Sequence, residues 1–353
     1  MKSIIIITGC IFSMLAVSSC IKAVIPIPKT VDSLVSTVAG NGIPGYLNGI
    51  DSGAEFYAEN ALTIDNQGNI FVADLNRIRK ISPNGMVSTF AGTDQAGYIN
   101  GTTNAEFDYA YDLKTDVAGN MYVADNRNNV IRKISPTGLV STFAGNGSWG
   151  YVDGPSSNAE FHNPAGMTID AAGNIFLADL DNFRIRKIST TGVVSTIAGS
   201  GIEGFLDGDA SVAQFDEPSS VAVDLDGNIY VADLVNNRIR KISVTGMVST
   251  FAGNGTPGFG DGPGSNAEFN GPSSIVIDHL GNIYVADTGN NRIRKITPDG
   301  LVSTIAGNGT AGYTDGALRQ ASFNIPIGVA LDSKGNLYVA DYANFRIRKI
   351  TLQ

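Results

Sequence analysis

Gly281-Asn282-Ile283-Tyr284-Val285-Ala286-Asp287-Thr288-Gly289-Asn290-Asn291-Arg292-Ile293-Arg294-Lys295-Ile296 decides the fold, because the chain writes this stretch six times with small changes. The Gly-Asn pair falls at Gly68-Asn69, Gly119-Asn120, Gly173-Asn174, Gly227-Asn228, Gly281-Asn282 and Gly335-Asn336, at spacings of 51 and then 54 residues. A period of this length marks a closed or stacked array of small supersecondary units. The unit around the quoted stretch reads as four short strands: Ser274–Asp278, Ile283–Ala286, Arg292–Ile296 and Leu301–Ala306. Between them stand His279-Leu280-Gly281-Asn282, Asp287-Thr288-Gly289-Asn290-Asn291 and Thr297-Pro298-Asp299-Gly300. Strand-sized runs separated by Gly, Asn, Asp and Pro make an antiparallel meander. A four-stranded meander repeated at this period is a propeller blade.

The ends of the chain fix the closure. A copy of the fourth strand, Val35-Ser36-Thr37-Val38-Ala39-Gly40, precedes every other element, and the last blade stops at Ile350-Thr351-Leu352-Gln353 with no fourth strand after it. The opening strand is therefore expected to complete the last blade. That offset closes the ring and removes two sheet edges that would template aggregation. An open solenoid has no need of it. The expected fold class is all-β: a six-bladed β-propeller of four-stranded antiparallel blades over residues 34–353.

The repeated pattern, Pro-x-x-x-(Ala/Ile)-x-Asp-x-x-Gly-Asn-(Ile/Leu)-(Tyr/Phe)-(Val/Leu)-Ala-Asp-x-x-Asn-x-Arg-Ile-Arg-Lys-Ile, resembles the NHL-repeat family across residues 34–353. The resemblance implies the propeller. It implies no single activity, because such propellers include binding scaffolds, sensor ectodomains and a few enzymes, and function follows the site rather than the fold.

The first residues read as an address. Lys2 precedes an apolar run from Ile4 to Val17, too short to span a bilayer and typical of a secretory signal. Val17-Ser18-Ser19-Cys20 resembles the bacterial lipobox, which implies a signal peptide over 1–19 and lipidation of Cys20. Residues 20–33, with Pro26 and Pro28, read as a short tether. Cys10 leaves with the signal, so no disulfide is expected. The expected location is the bacterial cell envelope, anchored to a membrane through the lipid alone.

Composition excludes some partners. Against 33 Asp and Glu stand 24 Lys and Arg, for a net charge of −9, which repels nucleic acid. Most of the positive charge lies on the third strands. There the long stems are expected to pack between blades, with the heads paired to Asp74, Asp125, Asp179, Asp233, Asp287 and Asp341. Asp224-Leu225-Asp226-Gly227-Asn228 resembles half of a calcium loop, but it lacks a distal bidentate Glu and reads as a turn. The recurring rings Tyr46, Tyr98, Tyr151, Phe205, Phe259 and Tyr313, and the set Phe56, Phe107, Phe161, Phe215, Phe269 and Phe323, are expected as plugs between blades.

The long links from fourth strand to next first strand share one face with the Asp-x-x-Asn-Asn turns, and loops gathered on a rigid scaffold are where binding resides. On that face the blades stop repeating. Tyr57 and Glu59, Asp108, Tyr109, Tyr111 and Asp112, His162 and Asn163, Asp216 and Glu217, Asn270, and Asn324 form an expected acidic and aromatic channel mouth. Trp149, the single tryptophan, lies in a link on the same face. Such a mouth suits a protein, peptide or glycan ligand, because aromatic rings stack and carboxylates accept hydrogen bonds. Catalysis is the alternative. His162 and His279 fall on opposite faces and cannot share a metal, and there is no Gly-x-Ser-x-Gly elbow and no phosphate-binding glycine loop. Gluconolactonase-like propellers hold calcium with Glu, Asn and Asp. Glu59, Asn163 and Asp216 are the residues that would play this part in a calcium-dependent hydrolase or lyase. The reading favoured by these residues is a monomeric, non-catalytic binding or scaffold propeller with no required cofactor and no metal ligands.

Overall fold

The computed structural model describes residues 33–352; the expected signal peptide over 1–19, Cys20 and the expected tether through residue 32 lie outside them. Six antiparallel sheets form six blades. Blade 5 shows the pattern: Pro272–Ile277 innermost, then Ile283–Asp287, Arg292–Ile296 and Leu301–Ala306. Its second strand is buried at every position, because both faces of a blade pack on neighbours. A short, continuously apolar run is the sequence signature of that double burial. The inner strands stand side by side around the axis, and the last, Pro326–Leu331, packs against the first, Glu59–Ile64. No helix of the described residues is long and apolar enough to cross a membrane.

The ring closes as expected. Leu34–Ala39 pairs antiparallel with Arg346–Thr351, with Val35 opposite Ile350 and Thr37 opposite Arg348. Inner strands also bond across blades. Asp112 Oδ2 accepts the Met167 amide at 2.6 Å, and Ser220 and Ser274 accept the amides of Ile275 and Val329. At the equivalent position blades 3 and 6 carry glycine. A Cβ on Gly166 would sit 2.6 Å from the Ser219 carbonyl oxygen, and one on Gly328 would sit 2.8 Å from that of Asn60. At those two seams the strands approach too closely for any side chain.

The links differ from the expectation of free loops. Five of them add a two-residue outermost strand to the next blade: Gly49–Ile50, Gly154–Pro155, Gly208–Asp209, Gly262–Pro263 and Gly316–Ala317. In blade 2 this strand shrinks to a single bridge between Gly101 and Val140. The sequence hides the feature because these segments have no strand-like composition. Tertiary contacts make them extended.

A buried arginine supplies those contacts. Arg294 donates from Nη1 to Asp287 Oδ2 at 2.6 Å and to the Glu268 carbonyl at 3.0 Å. Its Nη2 donates to the Gly260 carbonyl at 2.7 Å and to Asp261 Oδ1 at 2.8 Å. Asp287 Oδ1 in turn accepts the Asn270 amide at 2.8 Å, and Oδ2 accepts the Asn290 side chain at 2.9 Å. The guanidinium thus staples both limbs of the link to its blade. Arg79, Arg132, Arg186, Arg240 and Arg348 do the same against Asp74, Asp125, Asp179, Asp233 and Asp341, and all six arginines are fully buried. In all but Arg240 the Nε is left without a partner.

Of the two expected sets of plugs, one is correct. Phe56, Phe107, Phe161, Phe215, Phe269 and Phe323 are fully buried. The other set is on the surface: Tyr98, Tyr151, Phe205, Phe259 and Tyr313 are exposed, and Tyr46 is half-buried, stacked on Tyr57. Each ring of that set lies over a guanidinium, as Phe259 does over Arg292 at 3.8 Å. These rings cover one face of a cation rather than filling a gap between blades.

Candidate functional site

The aspartate hub that anchors each link also places the first residue of the rim. The amides of Tyr57, Asp108, His162, Asp216, Asn270 and Asn324 donate to the six hub aspartates. In blades 2 to 6 the next residue is left-handed: Tyr109, Asn163, Glu217, Gly271 and Ile325 have φ between 49° and 63°. Only glycine takes this conformation without strain, and for a β-branched residue such as Ile325 it is a true outlier. That turn carries the chain from the rim into the channel.

Just inside lies a cavity of about 390 Å³. Its wall includes the candidates Tyr109, Tyr111, Asp112 and Asn270, together with Asn60, Ser219, Ser220, Ser273, Ser274, Thr288, Ile325, Ile327 and Tyr342. Tyr109 and Tyr111 meet edge to face at 6.1 Å. Tyr109 donates to Asn60 Oδ1 at 3.2 Å, and Asn60 donates across the blade seam to the Ala110 carbonyl. Burial holds both phenols above their ordinary range; Tyr342 adds to this for Tyr109, and Tyr109, Asp112 and Glu217 add to it for Tyr111. Lys114 meets Asp112 at 2.6 Å and 2.8 Å. Asp112 faces the upper cavity and Lys114 a second, lower one of about 280 Å³, so this pair marks the boundary between them.

The other expected site residues separate into three groups. Asp216 and Glu217 stand on the rim with raised pKa values; burial is the leading cause for both, with Glu203 acting on Asp216, and Asp216, Asp181 and Glu203 on Glu217. His162 lies 3.7 Å from Asp181 and beside Trp149, while Asn163 donates to Asp181 at 2.5 Å. Trp149 is 74% exposed and fills no gap between blades. Asp108 pairs with Arg127 at 3.6 Å, and Tyr57 stacks on Tyr46 at 5.5 Å. Neither these two nor Asn324 lines the cavity.

Glu59 is a correction. It does not reach the mouth: it is fully buried and does not line the cavity, and neither carboxylate oxygen has a hydrogen-bond partner. It occupies the position that is proline in blades 3 to 6, and Asp341 and the Arg346 amide of blade 6 act on its carboxyl. Glu59 therefore makes no hydrogen bond to Asn163. Among the described residues no three Asp, Glu, His or Cys side chains converge as metal ligands.

Residues missed from the sequence share one signal. They sit at the second and third positions of the inner strand (Asn60, Ser219-Ser220, Ser273-Ser274, Ile327), the columns that also hold Tyr111 and Asp112, or just after the hub aspartate (Thr288, Tyr342). Comparing the six blades column by column finds them, because those columns vary between flanks that stay constant from blade to blade.

Comparison with known proteins gives two family matches. The model of the teneurin NHL domain matches residues 32–204, and that of the NHL repeat matches 215–242, 269–296 and 323–350. Human teneurin-4 is 28% identical over 373 aligned positions, covering 90% of this chain; the chain spans only 13% of the length of that relative. Among solved structures, a protein of unknown function from Bacteroides thetaiotaomicron superposes with a TM-score of 0.72 at 19% identity, over 91% of this chain and 76% of its own. An auxiliary nutrient binding protein from the same organism superposes with a TM-score of 0.70 at 20% identity, with the same coverage. Likeness at this identity shows the fold alone.

Proposed function

The chain belongs to the NHL-repeat propellers, and from that premise we propose that it is a non-catalytic binding protein of the bacterial cell envelope, taking its ligand at the long-link face. The observation that carries this reading is the upper cavity. It is built from the blade-specific columns, and a structural repeat alone would leave those columns uniform. The stapled links make its rim rigid, which lowers the entropy that binding has to offset. The auxiliary nutrient binding protein of Bacteroides thetaiotaomicron presents the same fold, and its description accords with such a role. The lipobox-like Val17-Ser18-Ser19-Cys20 supports attachment through lipid at Cys20.

Two measurements test the reading. In the first, Cys20→Ala is expected to move the chain from the membrane fraction to the soluble fraction; retention of the variant in the membrane fraction would remove the lipid anchor. In the second, the full chain is screened by thermal shift against peptides and glycans. A ligand at a hundredfold its Kd stabilises by about 2.7 kcal/mol. The variant Tyr109→Ala, Tyr111→Ala, Glu217→Ala is expected to lose any shift that the parent shows. An equal shift in both proteins would place binding elsewhere.

A further inference from the structure

We propose that the upper cavity takes a neutral sugar of one or two rings, an inference that rests on the binding role above and narrows it. The volume is the first argument. About 390 Å³ lies at the small end of the roughly 300–1,000 Å³ typical of small-molecule pockets, so the cavity admits a compact ligand and not a folded partner.

Charge is the second argument. The one carboxylate in the wall, Asp112, is fully engaged: Lys114 covers both oxygens, and the amides of Leu113 and Met167 donate to them as well. No carboxylate is left inside to hold an ammonium group. Outside, Asp181, Glu203, Asp216 and Glu217 make the rim negative, which opposes a phosphorylated or carboxylated ligand.

Hydrogen-bonding capacity is the third argument. The hydroxyls of Tyr111 and Tyr342 make no hydrogen bond within the described residues. Ser220 and Ser274 accept backbone amides at 3.2 Å and 3.3 Å, which leaves each O–H free to donate. These are groups that both donate and accept, set in a wall to which Ile325 and Ile327 add apolar surface. Sugar hydroxyls need that dual capacity, and the C–H face of a pyranose needs an apolar or aromatic floor. Arg127 covers one face of Tyr109 at 5.0 Å, and Tyr111 packs on the core and meets Tyr109 edge to face, so Tyr342 is the ring left to stack while Tyr111 offers its hydroxyl.

The test is calorimetric titration of the full chain in detergent with mannose, galactose, N-acetylglucosamine, cellobiose, glucuronate and choline. Single-site heat is expected with at least one neutral sugar and with neither glucuronate nor choline. The double variant Tyr111→Phe, Tyr342→Phe keeps both rings and removes two hydroxyls with no partner in the fold. It is expected to unfold at the parent's urea midpoint and to bind that sugar about tenfold more weakly or worse. Heat from glucuronate or choline in place of the neutral sugars overturns the proposal, as does sugar binding unchanged in the double variant. If no sugar binds while a peptide still gives the thermal shift described above, the sugar assignment falls and the binding role stands.

Discussion

Arg294→Met is expected to destabilise the protein by about 3–5 kcal/mol, read as a lower urea midpoint. The methionine keeps the apolar stem but removes every donor. Asp287 would keep a buried negative charge, held only by the Asn270 amide and the Asn290 side chain. The carbonyls of Glu268 and Gly260 would lose their buried partner, and Asp261 would keep only the Thr304 hydroxyl. Breaking a buried ion pair from one side is the costly way to break it, because the remaining charge stays desolvated. A whole domain has only about 5–15 kcal/mol of net stability. Arg292→Met is the internal control. That guanidinium lies at the surface against Phe259 and binds the carbonyls of Asn290 and Asn308, so its loss is expected to cost about 1 kcal/mol. Similar losses in the two variants would mean that the link is held by its own turns and not by the buried cation.

The same pair shows why the fold was legible and the site less so. Ring closure could be read from Val35–Ala39 because an unpaired strand at one end and a missing strand at the other are facts about order along the chain. The Asp–Arg pairing could be read because each Asp ends a second strand and each Arg sits seven residues on in most blades, which antiparallel pairing brings together. What the repeat could not show was how the links run. Gly260 and Glu268 contribute main-chain carbonyls, and a carbonyl has no sequence signature. Tyr98 and Phe259 depart from the expected plugs for a related reason. An aromatic ring at a repeated position is equally consistent with a buried plug and with a cover over an arginine, and only the guanidinium beneath it decides. Ser220, Ser274 and Tyr342 escaped notice because each lies inside a segment that otherwise repeats.

Glu59→Met is expected to raise stability at pH 8 by about 1–4 kcal/mol and to change it far less at pH 4, measured as urea midpoints at the two values. Glu59 lies opposite Asp74 in the first strand pair, on the strand that packs against the last blade. Burial is the main reason its carboxyl is held well above the ordinary value of 4.5, with the charges of Asp74 and then Asp341 adding to it. Its own amide and that of Arg346 lie close enough to oppose the shift, yet neither satisfies its oxygens. Arg79 and Arg348 already serve the two neighbouring aspartates, at 3.0 Å and 2.6 Å. The folded chain therefore keeps a proton on Glu59 that the unfolded chain releases above about pH 4.5. Below that value both states hold the proton and the contribution is fully present. As pH rises toward the folded-state pKa, the unfolded state gains progressively, and the protein loses about 1.4 kcal/mol of stability for every tenfold fall in proton concentration across that window. Methionine has nearly the same length and no proton to hold, so the variant should lack this slope. Parallel pH profiles in the two proteins would mean that Glu59 is solvated through an opening of the seam. A loss at both pH values would mean instead that the carboxyl group is satisfied in solution, and that its removal leaves the amide of Arg346 without an acceptor.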